Sequence, residues 1–432
     1  MSRTTDGAAE VADKLDSLPV LTRAGLDLSL AWGNGGPRFD LAAIRTGRDG
    51  VRGELSVSYE NRRLSWGAFA LSSTSARETL RKKLAAIEPA VIWGDHLEVA
   101  TWELTQAARE GEPLVELTGK VASPTRELLS GFLYEGNPTA LYADGDTGKS
   151  LMLCALLVAV QSGARLPCGL TPSRPGPVPC AYLDWETDRD TVEHRVAQIA
   201  AGLGIDPPAI LYKRMTHPLV DEAADLAAEF ARRGVGFVGI DSTVFALAGG
   251  DGAAFHEPMT GLFNALRLFA PAASLVLNHV TNDAAKTGSP ARPFGGAFAF
   301  NGPRLIWEAR RDHEDEEATS LVLTCRKANN LPRKPPPFGL RFVPGDGAIT
   351  IYPLDLAEAA PQATRSVSLP RRILFALGRG ATTTAELAVS LEASEDSVGR
   401  VVRRLAASGQ VVCVTPAGGK GHPAQWGLAT RG

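Results

Sequence analysis

The stretch "LYADGDTGKSLML", Leu141 to Leu153, constrains the fold of this chain more than any other. Its spacing is that of a phosphate-binding loop, G-x-x-x-x-G-K-[ST], in which backbone N–H groups and a helix N-terminus hold phosphate oxygens. Such a loop needs an apolar strand before it and a helix after it, and "PTALYA" and "SLMLCALLVAV" supply both. Ala143 stands where the first glycine is usual and is small enough to let the chain turn. The close approach to phosphate falls on Gly148, which is kept. Asp144, Gly145, Asp146 and Thr147 complete the loop, and since amides do the holding, both aspartates are free to point outward. Lys149 is expected to meet the β and γ oxygens and the Ser150 hydroxyl to bind Mg²⁺, so ATP and Mg²⁺ are the implied ligands.

Around this loop, residues 121–355 alternate short apolar runs with helical stretches. "PCAYLDW", "VGFVGID", "ASLVLNHV", "PRLIWEA" and "SLVLTCR" are near-continuous apolar strands, as in a sheet covered on both faces. Between the early ones lie "DTVEHRVAQIAAGL" and "DEAADLAAEFARR", which gives a βαβ pattern and a mainly parallel α/β sheet. A phosphate loop needs a second acid at the end of another strand to orient Mg²⁺, and Asp241 ends "VGFVGID". Ser242 follows it, so the group that activates water must come from elsewhere. In "AYLDWETDRD" a strand ends in Asp184 and Glu186, and Glu186 is the candidate for orienting and deprotonating water.

Two further regions flank this core. Residues 1–120 read as a small α+β module: alternating strands in "LDLSLAW" and "GELSVSYENRRLSWGAFAL", then two amphipathic helices, with no catalytic motif. Residues 356–369 have the Pro, Ala and Ser content of a linker. Residues 370–432 give three helices and a hairpin, a winged helix-turn-helix pattern. This last module carries eight basic residues against four acidic ones in a chain of net charge -3, so positive charge is concentrated there. In "SEDSVGRVVRRLAAS", Ser397, Arg400 and Arg404 lie away from the apolar stripe, where a recognition helix meets DNA, and Lys420 sits at the wing tip. Docking of another protein remains the competing use of such a module.

The net charge excludes a chain that coats nucleic acid over its whole surface. Five scattered cysteines without a C-x-x-C pair read as reduced core thiols of a cytoplasmic protein. The polar N-terminus lacks a signal-peptide apolar region, and "LMLCALLVAV" is too short to span a bilayer, so no membrane partner is expected.

"LYADGDTGKS", "YLDWETDRDTVEHRV", "VGIDS", "LVLNHVTN" and "FNGPRLIWEARR…CRKANN" occur in the order seen in RecA-like P-loop ATPases. Over roughly Leu117 to Pro353 the chain resembles RepA-type plasmid hexameric helicases and related phage ATPases. The resemblance implies ATP hydrolysis with Mg²⁺, a homo-oligomeric ring, and movement along single-stranded DNA in plasmid or phage replication, with the winged helix available to duplex DNA. It implies Lys149 and Ser150 as phosphate and Mg²⁺ ligands, Glu186 as the catalytic carboxylate and Asp241 as the Mg²⁺-linked acid. His279 matches the position that reports the γ-phosphate state. Arg304 matches an arginine that a neighbouring subunit inserts, and Lys327 a second cation near the nucleotide. The DNA-contacting loop would be "TNDAAKTGSPARPFGG", which carries only Lys286 and Arg292. Pro303 directly precedes Arg304, a departure that bears on the finger. An ATP-switched DNA-binding protein without helicase activity, and a RecA-type filament, are the alternatives that sequence leaves open.

Overall fold

The computed structural model describes residues 18–24, 27–33, 35–47, 50–110, 116, 126–174, 176–247, 256–280, 292–313, 315–329, 331–418 and 422–429. The chain divides into two compact units, residues 1–122 and 123–432.

In the first unit, β1 (Val20–Ala24), β2 (Asp27–Ala31), β3 (Arg38–Gly47), β4 (Gly50–Tyr59) and β5 (Arg62–Ala70) form an antiparallel meander in that order. The β4–β5 turn is two residues, Glu60 and Asn61, with φ of 49° and 62°. Positive φ at both central positions gives the turn a twist that matches the flanking strands. Alternate residues Leu28, Leu30, Phe39, Leu41, Leu55 and Val57 point to one face. Two helices, α1 (Thr74–Ile87) and α2 (Trp93–Glu110), cover that face with Leu80, Leu84, Leu97 and Leu104.

The second unit is built on a nine-stranded sheet. Its order is β10 (Leu211–Arg214), β9 (Cys180–Asp184), β11 (Phe237–Asp241), β12 (Ala273–His279), β8 (Pro138–Ala143), β13 (Leu305–Asp312), β14 (Thr319–Ala328), β15 (Phe338–Pro344) and β16 (Ile349–Leu354). β10 to β13 in this order are parallel, and β14 to β16 add an antiparallel extension. The small strands β6 (Glu127–Leu129) and β7 (Leu133–Tyr134) pair separately.

The helix after the phosphate loop, α3 (Lys149–Ser162), is apolar all round, and Met152 through Val160 are buried. A helix of that composition has to be enclosed, and here it packs on the sheet and on α4 (Arg189–Gly202). On the opposite face lie α5 (Leu219–Arg233), α6 (Thr243–Ala246), α7 (His256–Arg267) and α8 (Gly296–Asn301). From β8 the chain crosses to β9 and returns through β11 and β12, then passes to β13 on the other side of β8. Ligands of open α/β sheets bind where the strand order reverses in this way, beyond the carboxyl ends of the strands.

Beyond the sheet, α9 (Leu369–Gly378), α10 (Thr384–Ser390) and α11 (Glu395–Ala407) pack with a three-stranded sheet of β17 (Thr382–Thr383), β19 (Gln425–Leu428) and β18 (Val411–Thr415). Thr383 and Glu386 close a capping box at the start of α10. Residues 356–369, expected as a linker, are packed. Leu356, Ala363 and Val367 bury against Val322 of β14, the Asp312 carboxylate accepts from the Ala360 amide at 2.9 Å, and Arg326 donates to the Ser366 carbonyl at 3.2 Å. The Pro and Ala content that suggests a tether here forms tight turns with small apolar contacts. Among the described residues no helix is long and apolar enough to cross a membrane.

Candidate nucleotide site

The loop leaves β8 at Ala143 and enters α3 at Lys149. Gly148 sits at φ 94°, in the left-handed region, and a Cβ there would stand 2.8 Å from the Thr319 methyl. Backbone and packing both require glycine. The Thr147 hydroxyl donates to the Asp144 carbonyl at 2.7 Å and closes the loop. Asp144 and Asp146 are exposed, and Arg311 of β13 donates to the Asp146 carbonyl at 2.9 Å and to its carboxylate at 3.2 Å. The loop tip is thereby tied to the neighbouring strand.

Lys149 is buried, and its ammonium donates to the carbonyls of Asp144 at 2.7 Å and Ala143 at 3.2 Å. Burial pulls its pKa below the ordinary lysine value, against the opposing pull of Asp241, Glu186 and Asp144. An ammonium held in this way gains by exchanging neutral carbonyls for phosphate oxygens.

Asp241 ends β11 almost fully buried. It accepts from the Tyr182 hydroxyl at 2.6 Å, and the Ser150 hydroxyl lies near enough to favour its ionised form. Burial raises its pKa, and the nearby carboxylates of Glu186 and Asp184 add to the effect. A hydroxyl and a carboxylate side by side are hard oxygen donors of the kind Mg²⁺ takes, and Mg²⁺ binds through one or two carboxylates plus phosphates and water. No group of three or more His, Cys, Asp or Glu forms a metal cage among the described residues. The donor set therefore fits a nucleotide-bound Mg²⁺ ion held at Ser150 and Asp241.

Glu186 faces the same space. Its Oε1 accepts from the Ser242 hydroxyl and lies 3.5 Å from His279 Nε2. Its pKa is lowered, first by the His279 contact, with burial opposing. Asp184, which the sequence set beside Glu186 at the nucleotide, has a different task. It is fully buried and accepts from the amides of Glu186 and Thr187, each at 2.9 Å, and from the Thr187 and Tyr212 hydroxyls at 2.8 Å and 2.9 Å. It shapes the turn that presents Glu186. An aspartate followed at the third position by threonine is the sequence signal for such a turn.

These residues line one cavity of about 460 Å³, with Thr147, Gly148, Lys149, Ser150, Glu186, Asp241 and His279 at one side and Phe342, Pro344 and Ile349 forming an apolar wall. Arg195 of α4 also lines it, and one of its guanidinium nitrogens is buried with no hydrogen-bond partner. Sequence reasoning missed this residue. The available signal was an arginine set between Val192 and Ile199 on the buried face of α4.

Arg304 and Lys327 are elsewhere. The Arg304 amide donates to the carbonyl of Pro138, at the start of β8, while the phosphate loop leaves its end. Six strand residues span about 20 Å at ~3.3 Å each, so Arg304 lies far from the phosphate loop of this chain. Lys327 does not line the cavity at the phosphate loop: its ammonium donates to the carbonyls of Phe300, Asn301 and Pro303, at 2.9, 2.9 and 2.8 Å, and caps the end of α8. Arg292 is exposed and lines a different cavity. Arg400 and Arg404 are exposed on α11, and the Ser397 hydroxyl accepts from the capping Ser394 hydroxyl at 2.8 Å. Lys286 and Lys420 lie outside the described residues.

A family model described as an AAA domain matches residues 106–285, a span that takes in the phosphate loop, Glu186, Asp241 and His279. The large, mostly parallel sheet, the loop at its switch point and this similarity together suggest a nucleotide-dependent ATPase of the P-loop type. The chain gives no match to a curated protein.

Proposed function

We propose that this chain is a Mg²⁺-dependent ATPase of the RecA-like, RepA-like kind that assembles as a ring and couples hydrolysis to movement along single-stranded DNA in plasmid- or phage-type replication. The observation that carries the proposal is the split of its catalytic cations. Lys149, Ser150, Asp241 and Glu186 converge on one cavity, while Arg304 sits at the opposite end of β8. An arginine so placed serves a phosphate only in a neighbouring subunit, and sites shared between copies generate rings or filaments.

In the reaction, Lys149 moves from the loop carbonyls to the β and γ oxygens. Mg²⁺, when bound, neutralises charge on the phosphates. Glu186 orients a water against the γ-phosphorus and accepts its proton as the bond to the ADP oxygen breaks. His279 holds the Glu186 carboxylate and lies where loss of the γ-phosphate alters that contact. Phe342, Pro344 and Ile349 offer an apolar surface for the base.

We read the C-terminal helices and hairpin as a winged helix; Arg400, Arg403 and Arg404 are exposed on α11. That basic face favours one second reading, an ATP-switched duplex-binding protein without helicase activity. Electron microscopy with an ATP analogue and single-stranded DNA, combined with a strand-displacement assay, tests the choice. Rings that displace a strand support the motor. Assembly without displacement supports the switch, and a monomer under all conditions refutes both the ring and the finger. Lys149→Ala is expected to abolish ATP turnover with little change in thermal midpoint.

A further inference from the structure

A second, larger cavity of about 690 Å³ opens on the sheet face opposite α3, away from the phosphate loop. Its cations are Arg292, Arg326, Lys334 and Arg371. They come from four segments: the return of the β12–α8 connection, β14, the β14–β15 connection and the first turn of α9. One buried carboxylate, Glu308, faces them from β13. It is already engaged by Arg310 Nε at 2.8 Å, by Arg326 Nε at 3.5 Å and by the Tyr142 hydroxyl at 3.3 Å. Lys334 donates to the Arg326 carbonyl at 2.6 Å. The side chains of Arg292 and Arg371 are exposed and have no hydrogen-bond or ion-pair partner among the described residues.

Four cations against one compensated carboxylate, in a chain whose net charge is -3, make a local anion site. Phe300, Pro335 and Pro337 add apolar surface, and Asn301, Thr324, Ser366 and Ser368 line the same space. Among the described residues, no amide-lined loop like that at Gly148 serves this cavity. It offers separate charges from four segments, not a cradle for one terminal phosphate. Cations that track a backbone, beside an aromatic ring, are the means by which proteins hold single strands without reading sequence.

We infer that this cavity holds a segment of single-stranded nucleic acid, with phosphodiester groups at Arg292, Arg326, Lys334 and Arg371. The inference rests on the DNA reading above and names where the strand sits. It also joins the strand to the ATP site through one short stretch of chain. The Phe294 amide donates to the His279 carbonyl at 2.7 Å, and Asn278 donates to the Phe294 carbonyl at 3.0 Å. Arg292 stands two residues from that clamp, and His279 contacts Glu186.

The test uses the full chain with an ATP analogue and a fluorescent oligothymidylate of about 15 nucleotides, a length near the upper single-strand site size. Anisotropy is measured across a salt titration. Lys334→Ala with Arg371→Ala should weaken binding about ten- to thirty-fold near 0.1 M salt and reduce the log–log salt slope by about 1.4, the value for two lost phosphate contacts on a single strand. Arg371→Lys should keep the wild-type slope, and Arg292→Ala, on a separate segment, should repeat the loss of about 0.7. Thermal midpoints close to wild type would show that these exposed changes leave the fold intact. Wild-type affinity and slope in the double variant and in Arg292→Ala would overturn the cavity assignment while leaving the DNA reading standing. No strand binding by the wild-type chain would overturn the DNA reading itself.

Discussion

The two ends of the β8–β13 strand pair are built from similar residue types and do different things. At the carboxyl end, Lys149, Ser150, Asp241, Glu186 and His279 face one cavity, and each finds a partner there or an adjacent loop group. At the other end, Arg304 is exposed and Lys327 is used up on the carbonyls of α8. Both ends carry a lysine and an acid or arginine in a recognisable order, yet only one end forms a nucleotide-phosphate loop. Parallel strands explain the difference. They gather the loops that follow them at one edge, and whatever precedes β13 is delivered to the other.

The largest expected effect tests whether the far end serves a neighbour. Arg304→Ala should slow hydrolysis about 10³–10⁵-fold, the range for an arginine finger, while ATP binding stays nearly intact. In mixed assemblies the loss should exceed simple proportion, because each variant subunit spoils its neighbour's site. A loss that tracks the mixing ratio would remove the finger and erase the contrast between the two ends.

Glu186→Gln probes the near end and should retain ATP while turning over about 10²–10⁴-fold more slowly. Normal turnover would mean that another group handles the water. Lys327→Met should lower unfolding free energy by about 1–3 kcal/mol, since the α8 carbonyls lose their donor. Its nucleotide Kd should not move, and a tenfold change would return Lys327 to the nucleotide.

The smallest effect concerns pH. His279 is the first cause of the lowered Glu186 pKa, so removing it raises that pKa towards, or above, the ordinary carboxylate value. In the proposed role of Glu186 the ionised carboxylate is the active form, and activity falls as pH drops through its pKa. His279→Ala should therefore shift the acid limb of the ATPase profile to higher pH. An unmoved limb would detach His279 from Glu186.

Much of the near end is legible in the chain because it depends on local order. A strand, a tight turn and a helix follow one another in sequence, so Gly148, Lys149 and Ser150 announce themselves. Asp241 and Glu186 are legible for a related reason: each ends, or closely follows, a run apolar enough to be a covered strand. Other roles are not local. Asp184 and Glu186 are two residues apart and look equivalent, but the strand ends at Asp184 and the turn that follows folds over its carboxylate, which four hydrogen-bond donors hold. Arg195 is one more charge on a helix until the packing of α4 brings it to the cavity. Residues 356–369 have the composition of a tether, and only their burial against Val322 shows otherwise.

By itself, then, the order of residues determined the phosphate loop, the strands that must be covered and the acids at their ends, since each rests on contacts within a few positions or on hydrophobic periodicity. Tertiary structure alone decided that Arg304 stands a strand's length from its own phosphate loop and that Lys327 caps a helix. It also decided that Arg292, Arg326, Lys334 and Arg371 share one cavity. Those facts depend on strand direction and on segments distant in sequence meeting across a sheet, and no local pattern encodes which segments will meet.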